Sequence, residues 1–106
     1  MKEVIIADDV IKIIERKKKF LSLSEDEKII NFPVHMIKLV QKAYTDSMGI
    51  SSVAIFLESD EEFLITYDET EDLEWIFAEF VALKVRTDNS FRVEEYNIET
   101  RVTIDK

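Results

Sequence analysis

Residues 8–21 read Asp8-Asp9-Val10-Ile11-Lys12-Ile13-Ile14-Glu15-Arg16-Lys17-Lys18-Lys19-Phe20-Leu21, and the reading of this stretch decides the fold class. Val10, Ile13, Ile14, Lys17 and Leu21 recur at helical spacing and leave Lys12, Glu15 and Lys19 outside the stripe. Asp8 or Asp9 can cap the start. Arg16-Lys17-Lys18-Lys19 falls in the last turns, where cations suit a helix C-terminus. The spacing predicts a helix over 8–21. The preceding Glu3–Ile6 either extends that helix or forms a short strand.

Working outward, Ser24 and Glu27 form a capping box with acids in the first turn, which predicts a second, short helix. Pro33 disfavours helical geometry at Phe32 and suits the first turn of a third helix. Met36, Ile37, Val40, Ala43, Tyr44 and Met48 make its apolar stripe. Gly49 stands where a left-handed residue closes a helix, with Ile50 placed for the apolar contact that follows.

After Gly49 the period changes. Val53, Ile55 and Leu57 alternate with Ala54 and Phe56, and Phe63–Tyr67 is a second β-rich run. Ser59-Asp60-Glu61-Glu62 between them makes a hairpin turn. Both faces of this hairpin are apolar, so a helix is expected over at least one. Asp68 with Glu71 can start a helix over 70–83, with Leu73, Ile76, Phe77, Phe80 and Val81 as its core stripe. Val85–Thr87 and Phe91–Tyr96 flank the turn cluster Asp88-Asn89-Ser90, and Arg101–Ile104 alternates again. The expected class is α+β: about three N-terminal helices, then a small, mostly antiparallel sheet of three to four strands with one further helix, in a single domain of residues 1–106.

The chain has 106 residues, 46% of them hydrophobic, and no cysteine. It is long enough to bury one core without staples, and it has neither disulfides nor a thiolate metal site. No signal-like or membrane-spanning apolar run is present, so the expected location is cytoplasmic. Charge is uneven. Residues 1–50 carry nine basic and eight acidic groups, whereas residues 51–106 carry five and fifteen. Residues 58–79 alone hold ten acids and no Lys, Arg or His. Threaded through them are Phe63, Leu64, Ile65, Tyr67, Leu73, Trp75, Ile76 and Phe77.

Several chemistries fail on inventory. One glycine cannot build a phosphate cradle, and His35, the only histidine, gives no nitrogen and sulfur zinc set. No serine stands in a nucleophile-elbow context. Asp68, Asp72 and Glu79 fall at calcium-loop positions, but Leu73 occupies the position that needs glycine. Asp26-Glu27-Lys28 has the acid-x-lysine pattern of many nucleases, but it lies in a capping segment. No cofactor, metal or catalytic residue is expected, and the chain reads as a non-enzyme.

The leading expectation is a small acidic inhibitor that occludes a basic surface on a partner, for instance on a nucleic-acid-binding enzyme. Carboxylates on a rigid hairpin and helix can imitate backbone phosphates, and interleaved aromatics can anchor the contact. Phage-encoded inhibitors of defence nucleases, anti-CRISPR proteins among them, and bacterial immunity proteins belong to this physical class. Lys outnumbers Arg ten to four, a composition of AT-rich bacterial or phage genomes. The candidate partner-binding residues are Glu58, Asp60, Glu61, Glu62, Asp68, Glu69, Glu71, Asp72 and Glu74. Direct binding to nucleic acid or membrane is not expected at this charge; a homodimer is one option that the sequence leaves open. Two alternatives stand beside this reading. One is a regulatory DNA-binding protein using Arg16–Lys19, Lys28, Lys38 and Lys42 on the N-terminal helices. The other is an oligomeric accessory domain with Val53–Leu57 or Trp75–Phe80 as its interface.

Overall fold

A computed structural model of the chain describes residues 1–18, 25–87 and 91–106. The described chain folds as eight strands and one α-helix. A three-stranded antiparallel sheet comes first: β1 (Lys2–Ile6), β2 (Val10–Lys18) and β3 (Glu25–Pro33) in the order β1-β2-β3. A single 3-10 turn, Val34–Met36, leads out of it. Next come β4 (Ile37–Thr45), β5 (Gly49–Leu57), β6 (Glu62–Thr66), the helix α1 (Leu73–Thr87), β7 (Arg92–Asn97) and β8 (Val102–Asp105). These five strands form a second sheet in the order β6-β5-β4-β7-β8. Its pairs are antiparallel except β4 with β7, which run parallel. Parallel neighbours need a crossover, and α1 lies in the connection that leads to β7.

The expected α+β class, with about three N-terminal helices, is therefore corrected: the chain is mostly β, and its first half holds no α-helix among the described residues. Residues 10–18 form the central strand of the first sheet. Ile11 and Ile13 point into the core, 0% and 2% exposed, while Ile14 is buried on the opposite face. Val and Ile at almost every position satisfy period two and period 3.6 alike. Their branched side chains are stiff at χ1 and favour the pleated backbone, and pairing with β1 on one side and β3 on the other completes the choice. The capping-box reading starts at Ser24, which lies outside the described residues, as do Lys19–Leu21 of the first predicted helix. Glu27 is in β3, opposite Arg16.

The third predicted helix is β4, and its helical spacing has a specific origin. The β4–β5 register shifts between Ile37 and Leu39. This bulge places Ile37 and Val40, three residues apart, on one buried face. Gly49 is left-handed, with φ of +79°, but it closes the β4–β5 hairpin and not a helix. The β5–β6 hairpin and the later helix are present as expected, the helix beginning at Leu73 and extending to Thr87. Val85–Thr87, expected as a strand, is its last turn. The predicted turn 88–90 lies outside the described residues. Beyond it, the expected strands are β7 and β8.

One core joins all of this. Val40, Val53, Ile55 and Ile65 on one face of the five-stranded sheet pack with Leu73, Ile76, Phe77, Phe80 and Leu83 of α1. Val4, Ile11, Ile13 and Phe32 of the three-stranded sheet join the same cluster. The Phe32 and Phe63 rings stack across the junction, 5.2 Å apart and nearly parallel. The second face of the large sheet, with Leu39, Gln41, Ala43, Phe56, Leu64 and Tyr96, has no element over it among the described residues. On that face Glu94 is only 6% exposed. Gln41 donates to its carboxylate at 3.1 Å, and the Arg92 guanidinium closes over it. No helix is long and apolar enough to cross a membrane.

Candidate functional site

The acidic residues of 58–79 separate into two places. Glu58, Asp60, Glu61 and Glu62 are exposed around the β5–β6 turn. Local bonds hold that turn: the Asp60 amide donates to the Leu57 carbonyl at 3.0 Å, and the Ser59 hydroxyl to Glu61 at 3.0 Å. Asp60 has φ of 69°, a conformation Asp tolerates better than most residues. Asp68, Glu69, Glu71 and Asp72 lie past the far end of β6. The length of β6, whose first residue is Glu62, sets the two groups roughly 16 Å apart at the usual rise.

The second group lines an open groove of about 890 Å³. One wall is β1 with Arg16 of β2; the other is the segment from Tyr67 to Asp72 together with Trp75 and Ile76. The groove forms because the Lys2 amide donates to the Glu69 carbonyl at 2.8 Å, tying β1 to the β6–α1 connection. The Lys2 ammonium reinforces this seam through the Leu64 carbonyl at 2.8 Å and the Glu69 carboxylate at 3.0 Å. Glu69 also accepts from the Thr66 amide at 3.1 Å and the Thr66 hydroxyl at 2.9 Å. Partial burial pushes the Glu69 carboxyl up, but the bonds from Lys2 and Thr66 together outweigh it and hold the group below its ordinary value.

Glu69 is thus committed to structure. Asp68 accepts from the Thr66 hydroxyl, and Glu71 and Asp72 are exposed at the entrance of α1. Among the described residues, none of Asp68, Glu71 or Asp72 has a cationic partner. Acids at this end also complement the helix dipole, so their placement has a structural basis as well. Tyr67 and Trp75 stand 70% and 55% exposed in the same groove. Exposed aromatic rings beside unpaired carboxylates form a surface that can hold an apolar anchor and a cation together. Arg16 in the β1 wall is already engaged with Glu27 at 3.4 Å and Glu3 at 3.9 Å.

Glu74 turns elsewhere. It meets Lys42 at 3.6 Å, and that ammonium also sits over the Phe77 and Tyr44 rings at 5.3 and 5.4 Å. Lys42, grouped with other lysines in the DNA-binding reading, is therefore part of the packing between β4 and α1. Lys28 and Lys38 lie on strands β3 and β4. His35 is exposed on the 3-10 turn. Among the described residues no cluster of three or more His, Asp or Glu is arranged to hold a metal.

Sequence reasoning missed the β1 wall, because Lys2, Glu3 and Ile5 reach the groove only through tertiary packing. Trp75 did leave a signal. It falls off the stripe formed by Leu73, Ile76, Phe77 and Phe80, so a helix buried on that stripe leaves the indole outside.

The fold and groove define a small mixed-sheet domain with one covering helix. No protein-family model, curated protein or solved structure matches this chain.

Proposed function

We propose that this chain is a non-enzymatic protein-binding module that takes a basic segment of a partner into the groove between β1 and residues 67–76. The observation that carries the reading is the combination of Asp68, Glu71 and Asp72, without cationic partners among the described residues, with the exposed Tyr67 and Trp75 rings in one concavity. The formal charge of −9 steers cationic partners towards the protein before contact is made. A partner surface that normally holds nucleic acid has the complementary charge, and occluding it would make the protein an inhibitor. The turn acids Asp60 and Glu61, with Glu62 as the first residue of β6, lie at the other end of that strand and contribute through the general field.

Selection of a displayed random-peptide library against the protein tests this reading. The expected winners are rich in Lys and Arg with an apolar or aromatic position. Trp75 is the only tryptophan, so its emission reports occupancy of the groove directly. Binding should weaken about tenfold in the Glu71→Lys, Asp72→Lys double variant, and by much less on reversing Asp60, Glu61 and Glu62. Selection without enrichment of basic sequences, or binding indifferent to Glu71 and Asp72, would sink the proposal.

A further inference from the structure

The five-stranded sheet has two edges, and they are managed differently. At the β6 edge the Leu64 carbonyl is taken by the Lys2 ammonium at 2.8 Å. At the β8 edge nothing among the described residues covers the strand, and all four residues of β8 are exposed. β8 is short and ends on the charged Asp105, but it has no proline, no lysine and no bulge to block a further strand. It reads Val102-Thr103-Ile104-Asp105, two β-branched aliphatics around a threonine, with Val102 and Ile104 52% and 50% exposed.

The backbone direction follows from the ladder. The Lys106 amide donates to the Val93 carbonyl at 2.8 Å. In antiparallel pairs bonded and non-bonded positions alternate, so with the observed register Ile104 and Val102 bond inward to Glu95 and Asn97. Thr103 and Asp105 therefore turn their amides and carbonyls outward. The side chains divide the other way. Val102 and Ile104 share the α1 side of the sheet, while Thr103 and Asp105 share the open face with Tyr96 and Glu94.

The strand Val102–Asp105, together with the left-handed turn residue Arg101 (φ of 59°) that leads into it, is complementary to itself when run antiparallel about Thr103. Arg101 then meets Asp105, Val102 meets Ile104, and Thr103 meets Thr103. We infer that two copies of this chain pair β8 to β8 about a two-fold axis at Thr103, joining their five-stranded sheets into one continuous sheet. The two Thr103 residues exchange reciprocal N–H to C=O bonds at the seam. Val102 and Ile104 of both copies form one aliphatic patch on the α1 side, where such cross-strand pairs stabilise a sheet. Arg101, which has no ion pair among the described residues, faces Asp105 of the second copy, whose carboxylate already meets Arg92 of its own chain at 3.6 Å. The axis generates the same contact twice, as an isologous interface requires. The inference is independent of the groove, which lies beyond the opposite edge of the sheet. A dimer of this form carries one groove at each far end.

Sedimentation and light scattering across about 5 to about 500 µM protein test the pairing. A reversible monomer–dimer equilibrium is expected. Thr103→Pro removes the outward N–H and spares the β7 ladder, so it should weaken association at least about tenfold. Arg101→Asp and Asp105→Arg each place like charges across the seam twice and should weaken self-association about fivefold. Mixing those two variants should restore it, because every Asp then faces an Arg. That recovery depends on charge across the seam alone and stands even if Thr103→Pro does not fold. A protein that stays monomeric throughout, a dimer indifferent to a folded Thr103→Pro, or charge variants that do not recover on mixing would each overturn the inference.

Discussion

Glu69 shows how much of the acidic stretch is structural. Its carboxylate accepts from Lys2 and from both the amide and hydroxyl of Thr66, which fixes the connection between β6 and α1 against β1. Because its folded value is held below the ordinary one, the charged form favours the folded state. The stabilisation is complete above the unfolded carboxyl range, near 4.5, and is lost as pH falls through the lower folded value. Glu69→Ala should cost about 1–2 kcal/mol at neutral pH, since it also leaves the part-buried Thr66 amide without its acceptor. Urea unfolding at pH 7 and pH 3 checks this: the gap between variant and parent should narrow at the lower pH. At the same scale the sequence separates Trp75 from its neighbours. Leu73 and Ile76 are each 2% exposed while Trp75 between them is more than half exposed, a difference that one turn of helix geometry dictates.

Among the elements, α1 is a helix in sequence and structure alike, although its last turn takes in Val85–Thr87, which were expected as a strand. Its stripe of Leu73, Ile76, Phe77, Phe80 and Leu83 mixes aromatic and unbranched residues at period 3.6, and no strand register would bury the whole set. Phe80 is fully enclosed at 0% exposure. Phe80→Ala should therefore cost about 3–5 kcal/mol, measured as a shift in the urea midpoint at unchanged slope. Strands β2 and β4 are the opposite case. In β2 nearly every residue from Val10 to Ile14 is branched and aliphatic, so any periodic template finds its matches. In β4 a bulge converts strand spacing into helical spacing between Ile37 and Val40. Neither ambiguity can be resolved within the segment, because the deciding bonds come from β1 and β3 in one case and from β5 and β7 in the other.

For the whole molecule, stability should be graded across the large sheet. β4 is bonded on both sides, by β5 and β7, and Val40, Val53 and Ile55 beneath them are fully buried. Hydrogen exchange should be slowest at amides of β4 and β5, and fast in dilute solution at the outward amides of Thr103 and Asp105. Equal protection across all five strands would contradict this grading. The sequence by itself favoured the later helix without fixing its end, and pointed to the strands β5 to β8, because each has a pattern that local geometry alone can satisfy. It also determined the acidic charge and the absence of the common catalytic sets, which are matters of inventory. Only the tertiary structure decided that Val10–Lys18, Glu25–Pro33 and Ile37–Thr45 are strands, since a branched aliphatic run becomes a strand or a helix according to the partners that bond its backbone. The groove was likewise a tertiary decision. It split the acids between the two ends of β6 and set four of them against β1, some 60 residues earlier in the chain, a juxtaposition that no spacing along the sequence encodes.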